Sequence, residues 1–401
     1  MRLIYTKRVF RMRILHIVPS FAPCFSHGGV VNASYQIAKK QVENGHDVCV
    51  YTTDSCDERL KFEDNYNVDI DGIKVFYFKN LSNSFKNKLT IDTPISSINY
   101  IKKTHSDFDI IHIHEHRHSL AIVTHRYARK NNVPYVLQAH GSVLPFFQKE
   151  KMKEVFDKIW GFDILYDASR LFALTEVEKE QYLKMGVSED RIEIVPLGIN
   201  MNEYDPLPEK GKFKSKHNIG SEEKLILFLG RIHEIKGLDL LVKSFNRVCQ
   251  DNVKLAIVGG DYGFKEELEK LIENLNLKNR VIFPGVLTGE DKIEALVDCD
   301  IFIMPSRYES FTTSGLEAMA CFKPLILTEN NHIHTWVKDN AGLVCKFDEE
   351  ELSDCIETLL NDELLCSELG NNGRKLIENK YDWNKVSKQI ESIYYDCINN
   401  Y

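Results

Sequence analysis

The sequence predicts an α/β protein built from two Rossmann-like domains. Short apolar runs alternate with longer stretches of helical period, which is the pattern of βαβ units and therefore of parallel sheets covered by helices. This alternation pauses near residue 200, in the polar, proline-containing stretch "VPLGINMNEYDPLPEKGKFKSKHNIGSEEK", and then restarts. A chain of 401 residues is also long enough to divide into two units, each burying its own core.

In chain order, "RILHIVPS", "DVCVYTT", "IKVFYF", "DIIHIH", "YVLQAHG", "RLFALT" and "IEIVPLG" read as strands bounded by turn residues. An amphipathic helix is predicted from Val31 to Asn44, closed by Gly45. These elements define a first domain over 1–199. A second domain, 200–384, carries the strands "LILFLGR", "KLAIVGG", "RVIFPGV", "DIFIMPS", "PLILTE" and "GLVCKF". The segment 385–401 has helical period with no strand after it and is predicted to pack back on the first domain. Two such halves are expected to face one another across a cleft at their carboxyl strand ends, where open α/β sheets bind ligands.

The net charge of −8 argues against nucleic acid as a partner. Ten cysteines without a C-x-x-C pair, several in apolar runs, read as reduced core residues of a cytoplasmic protein. No segment approaches 18 uninterrupted apolar residues, and the basic opening has no signal-like apolar stretch. "MRILHIVPS" at Met12 has the look of a natural start, with residues 1–11 as an upstream extension.

Four constellations invite chemistry. Gly28 and Gly29 precede a helix, where backbone N–H groups bind anions, although a plain turn explains them equally. In "LFLGRIHEIKGLDLL", Arg231 and Lys236 bracket a loop at a strand end; the pair suits a diphosphate, or a solvated face with Glu234 as local partner. In "YESFTTSGLEAMA", Glu309 lies in the loop after a strand, and Ser314 and Glu317 have the spacing of a capping box. In "DIIHIHEHRHS", His112, His114, His116 and His118 alternate and would share one face if extended, yet their spacing fits no zinc motif, so no metal is expected. His140 ends a strand before Gly141 and points toward the proposed cleft, or is simply a hydrogen-bonded loop histidine.

With these residues in view, the chain resembles the retaining glycosyltransferases of family 4, also called glycosyl transferases group 1, which have the GT-B fold. The carriers are "LGRIHEIKGLDLLVKSF", "LAIVGGDYGFKEELEKL", "VIFPGV" and "PSRYESFTTSGLEAMACFKPLI", the last resembling the E-x7-E motif with Glu309 and Glu317. The resemblance implies that Glu309 contacts donor-sugar hydroxyls and Glu317 the nucleotide ribose. It also implies that Arg231 and Lys236 hold the pyrophosphate, that the Gly28 and Gly29 backbone approaches the phosphates, and that His140 lies beside the reacting sugar. Phe311, Thr312, Thr313 and Ser314 would line the phosphate and sugar site, and Val286 and Leu287 the base. Phe322, Asn330 to His334 and Leu197 depart from the family pattern around the donor pocket.

The implied reaction moves a sugar from a nucleoside diphosphate sugar to an acceptor hydroxyl with retention, without a metal or other cofactor, the two cations stabilising the leaving group. A glycan or lipid-linked acceptor for cell-surface polysaccharide or lipopolysaccharide is the matching partner. "FKNKLTIDTPISSINYIKK" and "FFQKEKMKEVFDKIWGF" mix lysine with apolar residues, which fits either peripheral contact with an anionic membrane on the cytoplasmic face or amphipathic helices covering a sheet. A sugar-nucleotide 2-epimerase of the same architecture and a non-catalytic sugar-nucleotide or glycan binder are the competing readings.

Overall fold

A computed structural model describes residues 11–25, 28–56, 59–60, 67–80, 94–104, 107–145 and 149–400. The chain divides into two compact units, one of 1–196 with 386–401 and the other of 197–385.

The first unit is built on eight strands: β1 (Arg13–Ile17), β2 (Asp47–Thr53), β3 (Asn67–Ile70), β4 (Ile73–Phe78), β5 (Ile110–His114), β6 (Tyr135–Gln138), β7 (Arg170–Ala173) and β8 (Ile192–Ile194). Their order is β3-β4-β2-β1-β5-β6-β7-β8. All pairs are parallel except the β3–β4 hairpin. That hairpin turns at Asp71 and Gly72, both at positive φ, the conformation a two-residue turn between twisted strands demands. Leu15 and Ile17 of β1 and Ile111 and Ile113 of β5 join one apolar core. By the two-residue period of a strand, His16, His112 and His114 therefore share the opposite face, with His16 in register with His112.

The C-terminal helix, Trp383–Asn399, belongs to this unit from Val386 onward. Tyr394 Oη bonds His112 Nδ1 at 2.7 Å, Asn44 Nδ2 donates to Glu391 Oε1 at 2.6 Å, and Gln389 Nε2 donates to the Ile194 carbonyl at 2.8 Å.

The second unit carries a parallel sheet of six strands: β9 (Lys224–Leu229), β10 (Val253–Val258), β11 (Val281–Gly285), β12 (Ile301–Met304), β13 (Leu325–Thr328) and β14 (Gly342–Cys345). The order is β11-β10-β9-β12-β13-β14, so the connections reverse direction between β9 and β12. Loops leaving the carboxyl ends of these two strands are splayed to opposite sides of the sheet, which opens a ligand crevice there. The unit's chain ends close on each other: Ile199 N donates to the Tyr381 carbonyl at 2.8 Å and Trp383 N to the Ile199 carbonyl at 3.0 Å.

One expectation changes. Cys24 and Cys56 are not reduced but form a disulfide, Cα–Cα 5.6 Å. They sit in the loops after β1 and β2, adjacent parallel strands whose ends emerge together, a proximity that sequence spacing cannot reveal. The other eight cysteines are free thiols. No helix among the described residues is long and apolar enough to cross a membrane.

Candidate functional site

In the second unit the site forms where the topology reverses. Gly230 follows β9, and the loop through Arg231 and Lys236 ends at Gly237, whose φ of +66° falls in the left-handed region. A Cβ on Gly237 would overlap the Pro305 carbonyl, so only glycine lets this loop lie against the one leaving β12. Arg307 locks the two loops together. Its backbone N donates to the Ile235 carbonyl at 2.8 Å, and its guanidinium grips Asp239 through two bonds of 2.7 Å and the Glu234 carbonyl at 2.8 Å. The paired fork holds the Asp239 carboxyl below its ordinary range despite burial.

This packing brings Lys236 Nζ onto Glu309 Oε2, with both side chains largely buried at 13% and 12% exposure. The cation thus pairs with Glu309 rather than with Glu234. Arg231 stays exposed, its guanidinium 5.3 Å from the Tyr262 ring centroid. Glu309 is fixed from behind by the segment that departs from the family pattern: Glu309 N donates to the Asn330 carbonyl at 3.1 Å and His332 N to the Glu309 carbonyl at 2.9 Å. Burial lowers the His332 imidazole to about 4, so it is neutral at physiological pH.

Phe311 and Thr312 lead into the helix Thr313–Ala320. The expected Ser314–Glu317 capping box is absent. Thr312 is the cap instead, its Oγ1 accepting from Gly315 N at 3.2 Å, because the helix starts two residues earlier than that box would require. Ser314 lies in the first turn beside Thr312, 3.2 Å between hydroxyls. Freed from capping, Glu317 receives Lys292 Nζ at 2.7 Å and interacts with the buried Tyr204 phenol. Val286 and Leu287 follow Gly285 at the end of β11, and Val286 is 68% exposed. Phe322 does not belong to this pocket. It follows the carboxyl end of the helix Thr313–Ala320, at φ +60° with Arg374 over its ring at 5.0 Å, and lines a separate cavity of about 900 Å³ at the amino ends of β9, β12 and β13.

In the first unit Gly28, at φ +95°, caps the helix Gly29–Glu43 without a side-chain bond. Open space surrounds the position of a Cβ on Gly28 or Gly29, and only Gly28 has a backbone that demands glycine. His140 follows β6 at φ +53°. Its loop is pinned by Glu178, which accepts from Gly141 N at 2.5 Å and Leu174 N at 2.6 Å, and by Tyr182 Oη, which accepts from Ala139 N at 3.0 Å. Arg117 adds bonds to the Ser142 and Val143 carbonyls. Burial pushes the Glu178 carboxyl up to about 7 and the His140 imidazole down to about 3.

The four alternating histidines do not all share one face: only His112 and His114 do. Strand β5 ends at His114, and His118 instead caps the helix Ser119–Lys130, its Nδ1 accepting from Ala121 N at 3.4 Å. His16 joins His112 and His114 from β1, and ring nitrogens of these three lie within 4.8 Å of one another. Ligating a cation there would break bonds already present, since His16 Nδ1 meets His114 Nε2, and His114 Nδ1 meets His140 Nε2, each at 2.9 Å.

Chemically, the second unit offers an exposed arginine, a lysine held on a carboxylate, and a helix N-terminus, an array suited to an anion with adjacent hydroxyls. Glycosyl transferases group 1 matches residues 209–376, and Glycosyltransferase Family 4 matches 27–203. The chain belongs to glycosyltransferase family 4. Its fold is GT-B, shared with Anabaena HepE solved with UDP and glucose, TM-score 0.76 at 19% identity over 96% of this chain and 100% of that one. Mannosylfructose-phosphate synthase of Agrobacterium fabrum is 23% identical over 390 residues, 90% of this chain and 85% of the relative. The capsular polysaccharide biosynthesis glycosyltransferase CapM of Staphylococcus aureus is 27% identical over 241 residues, 57% of this chain and 62% of the relative. For several curated relatives the match spans 49% to 62% of their length.

Sequence reasoning missed Arg307, Lys292 and Glu178. Arg307 stands two residues before Glu309, yet its partner Asp239 is 68 residues away. Only the β9–β12 adjacency joins them.

Proposed function

We propose that this glycosyltransferase moves a sugar from a nucleoside diphosphate sugar to an acceptor hydroxyl with retention of configuration, and that it needs no metal. The supporting observation is the Lys236–Glu309 pair, held beside the N-terminus of the helix Thr313–Ala320 with Arg231 exposed nearby. Departure of a diphosphate concentrates negative charge on the leaving group. Arg231, Lys236 and the first amides of that helix would stabilise it, an effect worth about 10²–10³ in rate for a single donor elsewhere. Glu309 would hold sugar hydroxyls and Glu317, steadied by Lys292, the ribose. Gly28, Gly29 and His140 would also contact the donor, as the family resemblance implies.

No carboxylate is placed as a nucleophile in this reading, so the leaving phosphate takes the acceptor proton during front-face attack. HepE is solved with UDP and UDP-glucose, and CapM is named for capsular polysaccharide. Both fit a nucleotide-sugar donor and a glycan or lipid-linked acceptor here. A lipid-linked acceptor also fits the exposed stripe of Met152, Val155, Ile159 and Trp160, set among Lys151, Lys153 and Lys158. The remainder of the two lysine-rich segments, 85–93 and 146–148, lies outside the described residues, as do residues 1–10.

The test incubates the protein with UDP-, GDP- and ADP-sugars and measures nucleoside diphosphate release with and without acceptor. Acceptor-dependent release that survives chelation is expected. Isomerised donor without release would establish the epimerase reading, and binding without turnover the non-catalytic one.

A further inference from the structure

The buried histidines of the first unit form a directed chain, and its direction is set at the end remote from His140. Burial lowers the imidazoles of His16, His112, His114 and His140, His16 to about 4 and His140 to about 3, so each is neutral with one N–H and one bare nitrogen. The first link is His16 Nε2 to Gln41 Oε1 at 2.7 Å. A carboxamide oxygen only accepts, so the His16 proton is on Nε2 and its Nδ1 is bare. His114 must then donate from Nε2 to His16 Nδ1, leaving His114 Nδ1 to accept from His140 Nε2, both at 2.9 Å. The rings lie nearly edge to edge in common planes, tilted 19° between His16 and His114 and 16° between His114 and His140, as in-plane N–H···N bonds require.

The orientation of the Gln41 amide decides everything downstream. Its nitrogen lies 3.4 Å from Tyr394 Oη, and Tyr394 Oη lies 2.7 Å from His112 Nδ1. With the amide reversed, its oxygen would face the tyrosine oxygen across 3.4 Å, beyond the ordinary O–H···O length of about 2.7–2.8 Å, while the tyrosine proton goes to His112. In the observed orientation the tyrosine proton is free for His112, at the ordinary length.

We propose that Gln41 is a positioning residue that, acting through His16 and His114, locks His140 as its Nε2–H tautomer and presents Nδ1 as a hydrogen-bond acceptor. Among the described residues His140 Nδ1 has no protein partner. Resting on the reading that His140 lies beside the donor sugar, this makes it a receiver of a hydroxyl proton, complementary to a sugar hydroxyl and not to a phosphate oxygen.

Nitrogen-15 NMR of histidine-labelled, donor-free protein tests this, with His140→Ala identifying the His140 signals. The expected spectrum has a protonated Nε2 and a bare Nδ1 at His140. Gln41→Met, which keeps the side-chain length but removes the acceptor, should convert this to a mixture of tautomers. Gln41→Asn, with the amide withdrawn by one methylene, should do the same and serves if the methionine variant does not fold. A protonated Nδ1 in the wild type, or an unchanged His140 pattern in a folded Gln41 variant, would overturn the proposal. Since no donor is present, that outcome is independent of whether the chain transfers sugar.

Discussion

Lys236 and Glu309 are mutually dependent. Removing the lysine leaves a mostly buried carboxylate without its cation, and breaking such a pair costs about 3–5 kcal/mol in fully buried cases. Lys236→Ala should therefore cut nucleoside diphosphate release by orders of magnitude and also lower the unfolding midpoint. Lys236→Ala together with Glu309→Gln should recover the stability without the activity. Equal midpoints in the single and double variants would show the pair to be energetically uncoupled. Glu178 makes a different prediction, in pH. Its folded value of about 7 stands above the ordinary 4.5, so the folded state holds the proton more tightly. The resulting stabilisation is complete below about pH 4.5 and is lost as the pH rises to about 7, amounting to at most about 3 kcal/mol. Denaturant titrations at pH 5 and pH 7.5 should show this loss in the wild type and a flatter dependence in Glu178→Gln. A slope that persists in the variant assigns it to other groups.

At the scale of elements, two loops are held together by one residue. Arg307 spans from the end of β12 to Asp239, in the first turn of the helix Leu238–Arg247 that follows β9. Lysine at 307 would keep the charge but cannot form the paired fork. Arg307→Lys should thus weaken donor binding through displaced Lys236 and Glu309, by roughly tenfold in KM, if one of the two bonds of about 1–1.5 kcal/mol is lost. A change in thermal midpoint with no change in KM would reduce Arg307 to a stabilising brace. The same contrast explains what could be read in the sequence. Glu309 and Glu317 are eight positions apart, within one strand-loop-helix unit, and their motif is legible because its geometry is local. Arg307 with Asp239, His16 with His112 and Cys24 with Cys56 are legible only after strand order is known, since each pair is made by neighbouring strands distant in sequence. Thr312 in place of Ser314 as the cap is a smaller failure: three neighbouring hydroxyl residues in "TTS" can each serve, and the spacing alone does not say which one the helix starts from.

For the whole molecule, the last helix breaks the symmetry between the units. The second unit is closed on itself, its ends joined through Ile199, Tyr381 and Trp383, and its sheet has its own core. The first unit is completed by residues from the far end of the chain. Tyr394 supplies the partner of buried His112, and Glu391 and Ser387 those of Asn44. Without that helix, His112 and Gln41 would lose the Tyr394 hydroxyl that both contact and would meet water. Residues 197–385 expressed alone should therefore unfold in one cooperative transition. Residues 11–196 alone should not, and should regain a cooperative transition when 386–400 is supplied as a separate peptide. Circular dichroism during heating reads both outcomes. A sharp transition in 11–196 without the peptide would mean that the helix only decorates a finished unit.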